Sequence, residues 1–256
     1  MNPYNERYAK IYDILYSDKN YNKESNFINN LLIKHKFPKT CNILELACGT
    51  GNHAFELEKL GHKITGIDLS PHMIKIANRK KKEINSLCCF HEGDMRNLES
   101  YNLKNKFDII LCLFDSIGFA KTNDAIAQTL KGIKNLLSDN GIFIFEFWHA
   151  AAMIKNYEKC RIRRFIFNNK EIIRISETEI NYLNQTCRVK YSVFVKENGK
   201  YDFFEDIQTN RFFLVQEMNA FLNNSGLTSL NYYNGFSDNY IIDTDAFHIL
   251  GCAKHI

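Results

Sequence analysis

The chain carries a net charge of only +4 over 256 residues, three prolines and no Cys-x-x-Cys pair. With 33 Lys and Arg against 29 Asp and Glu, the balance is too even to argue for a nucleic-acid partner. The apolar runs at 109–114 and 142–145 fall far short of the ~20 residues that a membrane span needs. The opening, Met1-Asn2-Pro3-Tyr4-Asn5-Glu6-Arg7, lacks an apolar signal core and does not look like a transit peptide, so the expected compartment is the cytoplasm. The eight cysteines are scattered and read as buried thiols of a reducing compartment. Cys88, Cys89 and His91 stand close together, but neighbours on a strand point to opposite faces, and no metal is expected. No repeat or low-complexity linker divides the chain, whose length suits one large domain or a domain with a sizeable insert.

What is present is an alternation of strands and helices. Tyr8, Ile11, Tyr12 and Leu15 fall at helical spacing, and Phe27, Leu31 and Leu32 do so again after a polar break. Strands are expected at 42–46, 63–67, 87–91, 107–113 and 142–147, with helices at 52–60 and 124–137. Ser70 followed by Pro71 starts a further helix, while Gly61 and Asn140-Gly141 are stop signals. The run Arg79-Lys80-Lys81-Lys82 reads as the solvated end of a helix, where cations complement the C-terminal dipole. Apolar strands alternating with helices mean a parallel sheet covered on both faces.

After Trp148 the pattern changes. Segments 161–167, 171–180, 186–196 and 201–213 are rich in Ile, Val, Tyr and Phe, and Asn168-Asn169, Asn184 and Asn198-Gly199 separate them. An antiparallel insert is expected here, then a short helix at 216–224 and closing strands at 227–233 and 247–254. The fold expected is α/β: a Rossmann-like, doubly wound, mostly parallel seven-stranded sheet with an antiparallel β insert as a substrate cap. Its domains are 1–147 for a helical segment plus the core, 148–213 for the cap, and 214–256 for the closing elements.

The densest chemical signal is Ile43-Leu44-Glu45-Leu46-Ala47-Cys48-Gly49-Thr50-Gly51-Asn52. Gly49 and Gly51 permit a tight turn and close approach of a ligand to backbone N–H groups at a helix start. Ala54 completes a Gly-x-Gly-x-x-Gly/Ala pattern, so NAD(P) competes for the site. Glu45 tips the balance, because an anion below the loop repels a pyrophosphate and accepts from an ammonium. That favours S-adenosylmethionine (SAM). Asp68, ending the second strand, can take both ribose hydroxyls. Asp94, in Glu92-Gly93-Asp94-Met95-Arg96, could accept from an adenine amine with Met95 against the ring.

Taken together, 43–52, Gly66-Ile67-Asp68-Leu69-Ser70, Gly93-Asp94-Met95-Arg96 and Phe107-Asp108-Ile109-Ile110 resemble the class I SAM-dependent methyltransferases over most of 41–147. Tyr12-Asp13-Ile14-Leu15-Tyr16, then Tyr21, and Phe114-Asp115-Ser116-Ile117-Gly118 look like the N-methyltransferases of nucleotide-linked amino sugars. The resemblance implies cofactor contacts from Tyr12, Tyr21, Glu45, Ala47, Gly49, Gly51, Asp68, Leu69, Met73, Asp94, Met95 and Leu113. It also implies a cap after the fifth core strand and places Tyr16 by the reacting centre. The chain departs from those relatives after Glu146, with Phe147-Trp148-His149 where they tend to carry Pro and paired Trp.

SAM is already activated for in-line displacement, so the protein mainly aligns the acceptor, and S-adenosylhomocysteine (SAH) is the product. A hydroxyl acceptor needs a base, for which His149 is the first candidate and Glu146 and Asp115 the reserves. Tyr8, Tyr12 and Tyr16 face the sulfonium through cation–π contact or form a packed helix face. The expected activity is methyl transfer to the nitrogen or oxygen of a sugar or nucleotide-activated precursor. Alternatives are an O-methyltransferase of a surface-polysaccharide component or phosphate-linked group, an NAD(P)-dependent oxidoreductase, and a non-catalytic SAM-binding partner subunit. The expected partner is a small-molecule acceptor, with neither nucleic acid nor membrane; a homodimer stays open.

Overall fold

Five strands form the parallel part of the sheet, apolar at its centre and more polar at its Cys89–Glu92 edge. They are β1 (Asn42–Leu46), β2 (Lys63–Asp68), β3 (Cys89–Glu92), β4 (Phe107–Cys112) and β5 (Leu137–Trp148). The computed structural model describes residues 4–101 and 106–256, so Met1-Asn2-Pro3 of the polar opening lie outside the described residues. β1 to β5 pair in parallel, and β11 (His248–His255) and β10 (Leu227–Asn234) close the edge antiparallel. The strand order is β10-β11-β5-β4-β1-β2-β3. It reverses between β1 and β4, and ligands of open α/β sheets bind at such a switch point, outside the strands' carboxyl ends.

Alternate residues of the central strands feed opposite cores. Leu44, Leu46 and Ile110 pack under α5 (Asn123–Leu136) and α7 (Val215–Asn224). Ile43, Ile109 and Leu111 pack under α2 (Tyr21–Lys34), α3 (Asn52–Lys59) and α4 (Pro71–Glu83). Burial on both faces is why these strands read as continuous apolar runs. Ser70 accepts from Met73 N and so caps α4 ahead of Pro71.

The insert is a four-stranded antiparallel sheet in the order β6-β7-β8-β9, from Cys160–Phe167, Lys170–Asn181, Thr186–Glu197 and Lys200–Arg211. Asn198 and Gly199 both adopt positive φ, as a tight hairpin requires. The insert packs on α1 (Glu6–Leu15): Ile172, Val193 and Phe204 meet Tyr8, Tyr12 and Leu15. Asp206 of β9 accepts from Asn5 N at 3.3 Å and Asn5 Nδ2 at 3.1 Å. Among the described residues no helix is long and apolar enough to cross a membrane.

Four local expectations need correction. The Ala-rich stretch after His149 folds as a helix, α6 (Ala150–Asn156), before the insert begins, because alanine favours helix and Ala150, Ala152 and Met153 bury one side. The helix at 124–137 stops one residue earlier, since Leu137 turns extended and pairs with Phe107. The Asn140-Gly141 stop therefore lies inside β5. The third strand starts at Cys89, with Leu87 exposed before it. Finally, Lys80 is no solvated helix end: its Nζ bonds Asp13 at 3.1 Å, Thr50 Oγ1 at 3.4 Å and Asn52 Oδ1.

Candidate active site

The turn after β1 is built on positive φ at Ala47, Gly49 and Gly51. Gly51 is structural, because a Cβ there would lie 2.7 Å from Phe90 Cζ. A Cβ on Gly49 would meet nothing within 4 Å, leaving the loop open toward a cleft. Asp13 ties this loop to α1, accepting from Thr50 Oγ1 at 2.6 Å and Asn52 Nδ2 at 3.0 Å. The cleft is lined by Tyr12, Tyr21, Glu45, Ala47, Gly49, Asp68, Leu69, Met73, Asp94, Met95 and Leu113, so the structure gathers every proposed cofactor contact except Gly51. Ser116 of the Phe114–Gly118 motif lines it too, as do Tyr4, His53 and Phe119, which carried no local sequence signal.

Beneath the loop, Glu45 is 3% exposed and its Oε2 has no hydrogen-bond partner. Burial, reinforced by Asp68, pushes its carboxyl up to about 8. Its Oε1 lies 3.6 Å from His53 Nδ1. His53 Nε2 bonds Glu24 at 2.6 Å, and Glu24 pairs with Lys19 at 2.6 Å. The Lys19 ammonium in turn stands 4.4 Å from the centroid of the Phe114 ring. Because the Glu24 carboxylate can only accept, His53 donates from Nε2. A neutral His53 then turns its Nδ1 lone pair toward a neutral Glu45. Burial lowers His53 and keeps it neutral in spite of Glu24.

Asp68 accepts from Gly49 N and Ser70 N, both at 2.8 Å, locking the loop to the end of β2. Burial still pushes its carboxyl up to about 6. Asp94 grips the Arg96 guanidinium at 2.6 Å, so the oxygens expected to face an adenine amine are engaged by a side chain on the cleft rim. The orphaned oxygen of Glu45, the open cradle over Gly49 and the carboxylate of Asp68 on the cleft wall suit a nucleoside that carries an ammonium. They suit a pyrophosphate poorly.

A second polar cluster lies past β4. Phe114 and Asp115 both take positive φ, a strained pair of non-glycine residues of the kind found at functional sites. Phe114 lines the cleft and its N–H donates to Glu146 Oε2 at 2.6 Å. Asp115 and Glu146 are buried, and His248 Nδ1 lies 2.8 Å from Asp115 and 3.6 Å from Glu146. Burial alone would lower His248, but these two carboxylates raise it to about 9. Burial and Asp115 push Glu146 upward.

The three proposed catalytic side chains fare differently. Tyr16 is not among the lining residues. Its ring packs between Tyr12, 4.7 Å away, and Phe114, 5.1 Å away. Glu146 lies one layer behind Phe114. His149 is off the cleft: its backbone bridges Phe213, its ring is buried, and its Nδ1 has no partner. Besides His53 in the cleft, His248 joins the cluster behind Phe114, brought in from a strand paired antiparallel to β5, which no local motif could signal. The tyrosines split as well, with Tyr12 in the cleft and Tyr8 buried behind it against Tyr191.

Comparison with known proteins accords with this geometry. A methyltransferase-domain family matches residues 43–141. YqeM of Bacillus subtilis, named only as a methyltransferase, is 28% identical over 219 residues, covering 86% of this chain and 84% of that protein. The dTDP-4-amino-2,3,4,6-tetradeoxy-D-glucose N,N-dimethyltransferase of Saccharopolyspora spinosa is 25% identical, covering 88% of this chain and 86% of that one. A SAM-dependent methyltransferase from Clostridium acetobutylicum has the same fold, with TM-score 0.83, 23% identity and 97% and 98% of the two chains covered. Residues 43–141 thus match a methyltransferase domain, and the fold built around them is that of a SAM-dependent methyltransferase of known structure.

Proposed function

We propose that the protein methylates the amine of a sugar carried on a nucleoside diphosphate. The observation that carries this reading is the Asp115–Glu146–His248 cluster behind Phe114. Two buried carboxylates share one imidazole there, directly behind the Phe114 segment of the cleft wall. His248 is held protonated at neutral pH and is a poor base, so a hydroxyl acceptor would lack the group it needs. An unprotonated amine needs none, because its lone pair attacks the activated methyl directly. The Saccharopolyspora spinosa relative is named for an amino sugar on dTDP, which agrees with this choice.

When bound, SAM supplies a methyl group already activated by its sulfonium. The protein's task is placement, and orientation alone can supply about 7–11 kcal/mol. Glu45 receives the ammonium and Asp68 the ribose hydroxyls. Tyr12, Tyr16 and Phe114 form the aromatic wall against which the acceptor is held, and Tyr16 orients it through its hydroxyl. The antiparallel sheet of residues 160–211 braces α1 from outside and selects the acceptor.

Incubation with SAM and a dTDP-linked amino sugar, beside its hydroxyl counterpart, tests the reading by mass spectrometry of the sugar product. N-methylated product from the amine alone is expected. Product from the hydroxyl sugar alone would shift the reading to O-methylation.

A further inference from the structure

Arg174 on β7 is a buried guanidinium without an anion of its own. It is 6% exposed, and its Nε has no hydrogen-bond partner. Among the described residues its one hydrogen bond runs from a terminal nitrogen to Tyr8 Oη at 3.3 Å. Three rings surround it, with Tyr191, Tyr16 and Phe165 centroids 5.2, 5.5 and 5.7 Å from Cζ. Cation–π contact offsets part of the lost hydration but leaves the charge uncancelled. Arg163 is its directly opposed partner on β6, and like charges in that relation repel. Arg163 has a counter-ion in Asp18 at 2.7 Å, but that carboxylate is exposed and turned to Arg163.

We propose that Arg174 is the subsite for an oxyanion of the acceptor, held in the fork of its guanidinium beside Tyr16. A planar guanidinium matches phosphate and carboxylate oxygens in pairs, and an incoming anion would also relieve the repulsion between Arg174 and Arg163. The placement is consistent with the acceptor reading: Tyr16 links Arg174 to Phe114, so an anion on Arg174 would put the acceptor's other end toward the methyl group. The inference rests on the proposed function for which oxyanion it is, a diphosphate, but not for the presence of an anion site.

Calorimetric titration of the SAH-saturated protein with dTDP, inorganic pyrophosphate and malonate tests it, on wild type, Arg174→Gln and Arg174→Lys. Wild type should bind dTDP and pyrophosphate. Arg174→Gln should weaken both at least tenfold with SAH affinity and melting temperature unchanged, and Arg174→Lys should fall between, keeping the charge but losing the fork. Equal dTDP and pyrophosphate binding by wild type and both variants overturns the proposal. Should Arg174→Gln fail to fold, an Arg174→Lys variant that melts and binds dTDP like wild type overturns it too. Malonate binding that depends on Arg174, with no dTDP binding, keeps the oxyanion site and removes the nucleotide-sugar reading. Loss of SAH binding in Arg174→Gln would make the residue part of the cofactor site's packing and refute the acceptor role.

Discussion

His248 donates a hydrogen bond to Asp115 at 2.8 Å, joining positions 133 residues apart at the end of β4. The pair fixes an imidazole beside Glu146, behind Phe114 of the cleft wall. If its role is to balance charge and not to remove a proton, His248→Asn should lower kcat/KM about tenfold, mostly through KM, with SAH affinity unchanged. A kcat loss of about 10²–10⁴-fold, the scale of a general base, would assign proton removal to His248 and favour a hydroxyl acceptor.

Glu45 makes cofactor binding a proton-coupled event. Its carboxyl stands near 8 in the ligand-free protein, against an ordinary value of 4.5. A folded-state pKa above the unfolded one contributes stability below pH 4.5 that is lost as pH rises to about 8. An ammonium at Oε2 needs the ionised form, so SAH binding at pH 7 should release a proton and tighten as pH rises toward 8. Calorimetry in buffers of differing ionisation enthalpy reads this release. It should vanish in Glu45→Gln; equal release from both proteins would remove Glu45 from the ammonium site.

Tyr16 bridges Tyr12 of the cleft and Arg174 of the cap. Tyr16→Phe keeps the ring and loses the hydroxyl. Turnover should drop on the order of 10–100-fold with SAH affinity nearly intact, because alignment is realised chiefly in the transition state. Steady-state kinetics beside an SAH titration distinguishes this from wild-type turnover, which would leave Tyr16 a packing residue.

Gly51 tests the loop's architecture apart from any ligand. Its φ is +81° and a Cβ would press on Phe90. Gly51→Ala should cost about 2–4 kcal/mol in urea denaturation, combining a left-handed alanine with an overpacked contact. A change below about 0.5 kcal/mol would mean that the turn relaxes freely.

Much of this was legible in local sequence. The β1 turn, Asp68 and the Ser70-Pro71 cap are contiguous signals whose meaning follows from backbone geometry, and each lies where its pattern put it. The antiparallel insert was legible for the same reason, through its alternation and its Asn198-Gly199 turn. What was hidden depends on distant contacts. His248 reaches Asp115 only because β11 pairs with β5, and Lys80 reaches Asp13 only because α4 passes the loop. His149 looked like a base by position, yet a bridge to Phe213 turns it into the wall behind the sheet's end. Asp94 kept its place but is gripped by Arg96, two residues on.

The most direct test of the cofactor assignment is thermal melting with SAM, SAH, NAD and NADP in turn, on wild type and Glu45→Gln. At 100 times Kd a bound ligand adds about 2.7 kcal/mol, enough to move a melting temperature visibly. SAM and SAH should raise the wild-type melting temperature and NAD(P) should not, with a smaller rise for Glu45→Gln. A rise with NAD or NADP and no response to SAH would contradict the assignment.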